Sequence, residues 1–328
     1  MNNEGVTMRE AGGQGQRSTW WCSVTLTIVA IVAVSCGSKK IEPPEGLGPK
    51  SFPSPESAGQ AVYNAARAED TTAVLAIFGP EAKEYLLTED PNKDKAALDK
   101  FAMEYEKMHR WAPAEGDEVV LDVGVESYPF PFPLVRTADG QWMFSPERAR
   151  KEILARQIGD NELTVIEVLN QMADAQTEYF ATTHDGIKVK QYAQRLISSD
   201  SKHDGLYWKA GEGETESPLG PLVARASAED YEKGTKESPQ PFHGYLYGIL
   251  KEQGAHAEGG AREYVVNGYM TGGFAFLAYP AEYRKSGVMT FLIGKDGLAY
   301  QKDLGPDTEE TAKRIKVFDP DETWALVQ

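Results

Sequence analysis

His203-Asp204 is the pair in this chain whose residue types and spacing come closest to chemistry. An imidazole beside an orienting carboxylate is the arrangement of a general base. Asp204-Gly205 is equally the dipeptide of a plain turn, and the turn is the favoured reading because neighbours in sequence seldom form a catalytic pair by themselves. His243-Gly244-Tyr245 either lines a pocket or holds a structural histidine at the start of a strand, with the second favoured. Asp303, Asp307, Glu309 and Glu310 offer oxygen ligands for a cation but lack the spacing of an EF-hand, and Asp307-Thr308 predicts a helix cap. The five histidines, at 109, 184, 203, 243 and 256, show no HExxH-like spacing. No catalytic motif, metal site or cofactor site is read from the chain. His203, Asp204, Tyr207, Trp208, His243 and Tyr245 are left as a candidate ligand or partner surface.

Charge narrows the partners. The 50 acidic residues against 34 basic ones give a formal net charge of −16, which argues against nucleic acid and against a polybasic grip on anionic lipid. Tyr245, Tyr247, Tyr264, Tyr269, Tyr279, Tyr283 and Tyr300 make the C-terminal half aromatic. Burial is the default for most of them, and any exposed ones would suit glycan or protein binding. Gly268, Gly272 and Gly273 allow close backbone approach and form no phosphate cradle.

The front of the chain sets location. Residues 24–35 form an apolar run of 12, shorter than the ~20 needed to span a bilayer and suited to the core of a secretory signal. Ala33-Val34-Ser35-Cys36 resembles a bacterial lipobox, which makes Cys36 the lipid-attachment residue and 1–35 a signal peptide; an uncleaved anchor over 20–34 and ordinary soluble secretion are the alternatives. The only other cysteine, Cys22, lies inside the signal, so no disulfide is expected and the folded part must be held by its core. The resemblance implies an extracytoplasmic bacterial lipoprotein, facing the periplasm from the outer membrane if the cell is Gram-negative. Residues 36–53 read as a flexible Pro/Gly-rich tether.

Beyond the tether, periodicity predicts an α+β chain in two domains, 54–158 and 159–328. Ser54-Pro55 starts a helix whose apolar positions are Ala58, Ala61, Val62, Ala65 and Ala68. Further helices are expected over 72–78 and 93–111, then a strand over 119–125, an edge or bent strand over 128–135 and a hairpin at Asp139-Gly140. Residues 147–158 and 161–180 read as two helices, the second with a stripe of Leu163, Ile166, Leu169, Met172, Ala173, Gln176, Tyr179 and Phe180. A short helix is expected over 190–197, a turn-rich loop over 198–240, and strands over 245–250, 263–266, 273–279, 288–293 and 298–301. Gly294-Lys-Asp-Gly297 is a hairpin turn, and a last helix covers 308–316.

Several segments together resemble a bacterial envelope family, domain of unknown function 2950: His203-Asp-Gly-Leu-Tyr-Trp208, Ser217-Pro-Leu-Gly-Pro-Leu-Val223, Pro241-Phe-His-Gly-Tyr245, Gly272-Gly-Phe-Ala-Phe-Leu-Ala-Tyr-Pro280, Ser286-Gly-Val-Met-Thr-Phe291 and Lys302-Asp-Leu-Gly-Pro-Asp-Thr308. This resemblance implies no activity and no catalytic residues. The order of elements in 54–158 resembles cystatin-like and nuclear-transport-factor-like domains. The long helix followed by an antiparallel sheet resembles the globular half of type IV pilins and pseudopilins, which implies a helix lying across the sheet. The hydrophobic membrane half of a pilin helix is absent ahead of Leu163.

These readings lead to a non-enzymatic envelope lipoprotein that binds or assembles, held to the membrane by lipid and meeting an envelope protein or glycan; the pilin-like resemblance adds a secretion or surface-structure system as its setting. The alternative is a cell-envelope hydrolase using His203 or His243 with nearby carboxylates. Metabolic labelling with a fatty-acid analogue tests the anchor. Wild type should carry the label and fractionate with membranes, and Cys36→Ser should lose both.

Overall fold

The computed structural model describes residues 48–327 apart from 89, 115, 212 and 221–240. The expected signal peptide, Cys36 and most of the expected tether therefore lie outside the described residues. The chain is a mixed α+β protein of two compact units, which divide between Arg150 and Lys151.

The first unit starts earlier than the tether expectation allows. Ser51–Phe52 (β1) pairs antiparallel with Trp142–Phe144 (β6), and the Lys50 N–H donates to the Ile77 carbonyl at 3.2 Å. Residues 50–52 are thus tied down by backbone bonds. Helix α1 (Pro55–Arg67) begins as its sequence dictates: Ser54 and Ser57 form a reciprocal capping box, with proline in the first turn. Asp70 caps α2 (Thr71–Phe78), and a short α3 (Lys83–Leu86) follows. Asp90 caps α4 (Pro91–Lys107).

Helix α4 stops short of the expected end at 111, because His109–Pro113 (β2) pairs instead with Glu118–Val123 (β3). Pro113 has no N–H for a helix to use, and the ladder to β3 satisfies the backbone of this segment. The three prolines after Tyr128 do not produce one edge strand. They leave a two-residue β4 (Tyr128–Pro129) beside β3 and an interior β5 (Leu134–Arg136) between β3 and β6. The connecting residues turn Phe130 and Phe132 inward, where Phe78 packs at 4.7 Å from Phe132 and 4.6 Å from Phe144 between ring centroids.

One helix, α5 (Pro146–Ala181), replaces the two expected over 147–180. The chain runs through Gly159 without a break, at a cost of ~1 kcal/mol relative to alanine. In the second unit Val165, Val168, Leu169, Met172, Ala175 and Tyr179 of this helix share one core with Phe274, Phe276, Phe291 and Ile293. The buried stripe is therefore rotated from the expected one, and Leu163, its predicted first member, is 66% exposed.

The sheet below this core is antiparallel in the order β15-β14-β13-β12-β7, formed by Ala325–Leu326, Ala299–Asp303, Met289–Gly294, Ala275–Pro280 and Tyr245–Leu250. The expected strand over 263–266 divides between two small ladders. Glu252–Gln253 (β8) pairs with Arg262–Glu263 (β9), and Val265–Val266 (β10) with Tyr269–Met270 (β11). A Cβ at Gly272 would stand 2.6 Å from the Glu263 carbonyl oxygen, so the predicted close approach of backbone is real at that position. Helix α6 (Thr308–Arg314) packs on β12 and ends before the expected 316.

Residues 190–197 form no helix. Their backbone groups are taken by other elements: the Tyr192 N–H donates to the Met270 carbonyl at 2.8 Å, and the buried Gln176 side chain bonds both the N–H and the carbonyl of Ala193. Ile197 then bridges Tyr207, and a bond from the Tyr179 hydroxyl to the His203 carbonyl ties this part of the turn-rich loop to the end of α5.

Candidate functional site

The last turn of α5 and the loop beyond it assemble a cluster of aromatic and imidazole rings. Tyr179 is buried in this turn, and its hydroxyl donates to the His203 carbonyl at 2.7 Å. Burial, and then the nearby Asp185 and Asp204 carboxylates, push its phenol up to about 12. The His184 ring stacks on Tyr179 with centroids 3.8 Å apart, and its Nε2 lies 2.9 Å from the Tyr179 carbonyl, a bond that requires the proton on that nitrogen. Asp185 accepts the His203 N–H on both carboxylate oxygens, at 3.1 and 3.0 Å. The Trp208 ring packs 4.5 Å from His203 and 6.0 Å from His184, and its indole N–H donates to the Thr215 carbonyl at 3.1 Å.

His203 and Asp204 do not act as a pair. Asp204 accepts from the Ser199 N–H at 2.6 Å and the Ser199 hydroxyl at 2.9 Å, with Arg195 at 3.8 Å. Its burial alone would raise the carboxyl; the Ser199 bonds and the Arg195 and Lys202 charges outweigh that and hold it below the usual carboxylate range. The carboxylate that faces the His203 ring is Asp185, with Nδ1 and Oδ1 3.8 Å apart, beyond hydrogen-bond reach. Both acids thus bond loop backbone.

Sequence reasoning missed Tyr179, His184 and Asp185 as members of the cluster. A signal was present: His-Asp-Gly occurs twice, at 184–186 and 203–205. The first copy's aspartate clamps the second copy's backbone, and both histidine rings flank Trp208. Gly205 in the second copy is required by packing, since a Cβ there would stand 2.6 Å from the Ser198 backbone nitrogen.

Tyr207 is half-buried and bonds the Leu196 carbonyl through its N–H. His243 and Tyr245 belong to a separate place at the start of β7. His243 is held at a φ of +48°, and protein atoms crowded around its still accessible ring disfavour the charged form and lower its pKa. Tyr245 is wholly buried, which removes it from any partner surface; its hydroxyl donates to the Met289 carbonyl at 2.9 Å. Its phenol is pushed up by burial and by the carboxylate of Glu162, which itself accepts the Val288 and Met289 N–H groups. Of the seven C-terminal tyrosines, Tyr245 and Tyr264 are buried and the other five half-buried, so none offers a fully exposed ring.

Among the described residues no group of three or more His, Cys, Asp or Glu side chains could hold a metal ion. Asp307 does stand at the N-cap of α6, but its side chain makes no capping bond, contrary to expectation. The Thr308 hydroxyl donates to the Gly305 carbonyl, which ties down the turn before the helix without capping its N–H groups. Among the described residues no helix is long and apolar enough to cross a membrane.

The family model for a protein of unknown function, DUF2950, matches residues 49–327, and the chain belongs to that family. No curated protein and no solved structure matches it. The pilin-like and cystatin-like resemblances therefore have no matching structure behind them.

His256 provides a pH test within this unit. Its Nδ1 lies 3.0 Å from Asp319 Oδ2, and its N–H donates to Asp319 Oδ1 at 2.8 Å. The hydrogen bond to Asp319, and then that residue's charge, raise the imidazole pKa. A raised folded pKa means the pair stabilises fully below the unfolded value of ~6.5 and loses its contribution as pH rises through the folded value. An NMR titration should place His256 above ~6.5, and Asp319→Asn should lower it, with the Asp321 and Glu322 charges still holding it up.

Proposed function

We propose that this DUF2950 member is a non-enzymatic, lipid-anchored envelope protein that binds glycan through the platform of Trp208, His203 and His184. One observation carries the reading: three rings are packed together at the end of α5 on a loop whose backbone is clamped by Asp185 and Tyr179. A sugar presents an apolar C–H face and a rim of hydroxyls. A rigid aromatic face suits the former, and the half-exposed His203 and Asp185 side chains, 42% and 29% accessible, suit the latter. Preorganised rings also lose little entropy on binding. The lipid at Cys36 would hold this platform near the cell wall, and the acidic surface would discourage anionic polymers.

The approach of His203 to Asp185 favours one second reading, a wall hydrolase with His203 as base. Engagement of both Asp185 oxygens by the His203 N–H speaks for the binding role.

Co-sedimentation of the detergent-solubilised lipoprotein with purified peptidoglycan sacculi separates the two. Wild type should pellet with sacculi, Trp208→Ala should bind roughly tenfold or more weakly, as expected for loss of a central aromatic contact, and no soluble fragments should be released. Unchanged retention of Trp208→Ala would contradict the platform, and fragment release abolished by His203→Ala would establish the hydrolase.

A further inference from the structure

Three basic side chains converge on one groove of a chain that carries 50 acidic and 34 basic residues. The groove measures about 370 Å³ and is lined by Lys302 of β14, by Arg314 at the end of α6, and by Lys316 just beyond it. Its position follows from the sheet register. Tyr300 pairs with Leu326 and Gln301 with Ala325, and one step further Trp324 lies beside Lys302, whose Nζ is 5.7 Å from the indole ring centre.

Hydrogen bonds from Thr323, and then the Lys302 charge, hold the Asp321 pKa down, but among the described residues no carboxylate contacts the three cations directly. Lys302 donates to the Thr323 hydroxyl at 2.6 Å and Arg314 to the Thr311 hydroxyl at 3.1 Å; among the described residues none of the three makes an ion pair. The acid that lines the groove, Asp319, has both oxygens bonded by His256. Between the charges, Leu304, Ile315 and Trp324 supply an apolar lining.

We propose that this groove binds a small amphiphilic anion taken as a monomer from solution. A phosphate or carboxylate head would sit among Lys302, Arg314 and Lys316, and an apolar body would lie on Trp324, Leu304 and Ile315. Charge complementarity selects the head: a guanidinium and two ammonium groups that make no ion-pair contact among the described residues suit phosphate or carboxylate oxygens. The surrounding acidity repels anions at long range, so the local cluster must supply the attraction. The volume falls in the ~300–1,000 Å³ range of small-molecule sites, and a concave lining suits one short chain better than a bilayer surface. The proposal is independent of the glycan reading, since it uses none of the same residues.

The test uses the full chain carrying Cys36→Ser, which needs no detergent, and follows the Trp324 indole N–H by NMR, assigned by its loss in Trp324→Phe. Octyl phosphate, below its micelle concentration, should shift this signal saturably. Inorganic phosphate and octyl glucoside, each carrying half of the chemistry, should bind roughly tenfold or more weakly. Arg314→Glu with Lys316→Glu should weaken octyl phosphate by roughly tenfold or more, as loss of charge-assisted bonds requires. Equal shifts from octyl phosphate and octyl glucoside, non-saturating shifts, or unchanged affinity in the double variant would overturn the proposal. Binding to anionic vesicles without binding of octyl phosphate would overturn it too. The comparison of probes on the unaltered groove decides the question even if the double variant does not fold.

Discussion

Two hydrogen bonds from one buried amide hold the irregular half of the second unit against its long helix. Gln176 Oε1 accepts the Ala193 N–H at 2.7 Å, and Gln176 Nε2 donates to the Ala193 carbonyl at 2.9 Å, with the side chain 0% exposed. A primary amide presents the same donor and acceptor as a peptide group, so Gln176 treats Ala193 as a neighbouring strand would. Each of the four polar groups involved would cost ~1–3 kcal/mol if buried without a partner. Tyr192 follows from this clamp, packed 4.5 Å from Phe180 and 4.9 Å from Phe274. The loop then returns through the Ile197–Tyr207 bridge, and Asp185 and Tyr179 fix His203 beside Trp208. The ring platform is thus the far end of a chain of contacts that begins at Gln176.

Local chemistry was legible wherever local chemistry decides the structure. The Ser54-Pro55 start of α1 and the Gly294-to-Gly297 hairpin are set by residues within a few positions of one another. The alternation expected over 119–125 yields its strand as far as Val123, where Gly124 at a φ of +75° ends it and leaves Val125 exposed. Three of the larger failures have distant causes. Residues 190–197 carry a helical pattern, yet their bonding partners lie on α5 and at Met270. Residues 109–111 continue the α4 pattern, yet β3 captures them. Leu163 fits the stripe by spacing, while the direction of burial is decided by where the sheet lies.

The same distinction applies to the candidate site. His203 and Trp208 were visible as residue types and do come together. Tyr245 was also visible, but its hydroxyl turned out to serve the Met289 carbonyl in the core. What hid Asp185 was its distance in sequence from His203, 18 residues, which only the fold closes. In the fold each aspartate of the doubled His-Asp-Gly caps backbone elsewhere, Asp185 at His203 and Asp204 at Ser199. The two His-Asp-Gly copies therefore brace a loop, and the rings they hold are left as the surface on which binding can act.

Amide hydrogen exchange in wild type and Gln176→Leu measures this dependence most directly. Loss of the two bonds should speed exchange at Ala193 and at His203 by roughly 30-fold or more, from ~2–4 kcal/mol of lost local stability, while β13 amides stay protected. Unchanged protection of Ala193 and His203 in Gln176→Leu would contradict the account.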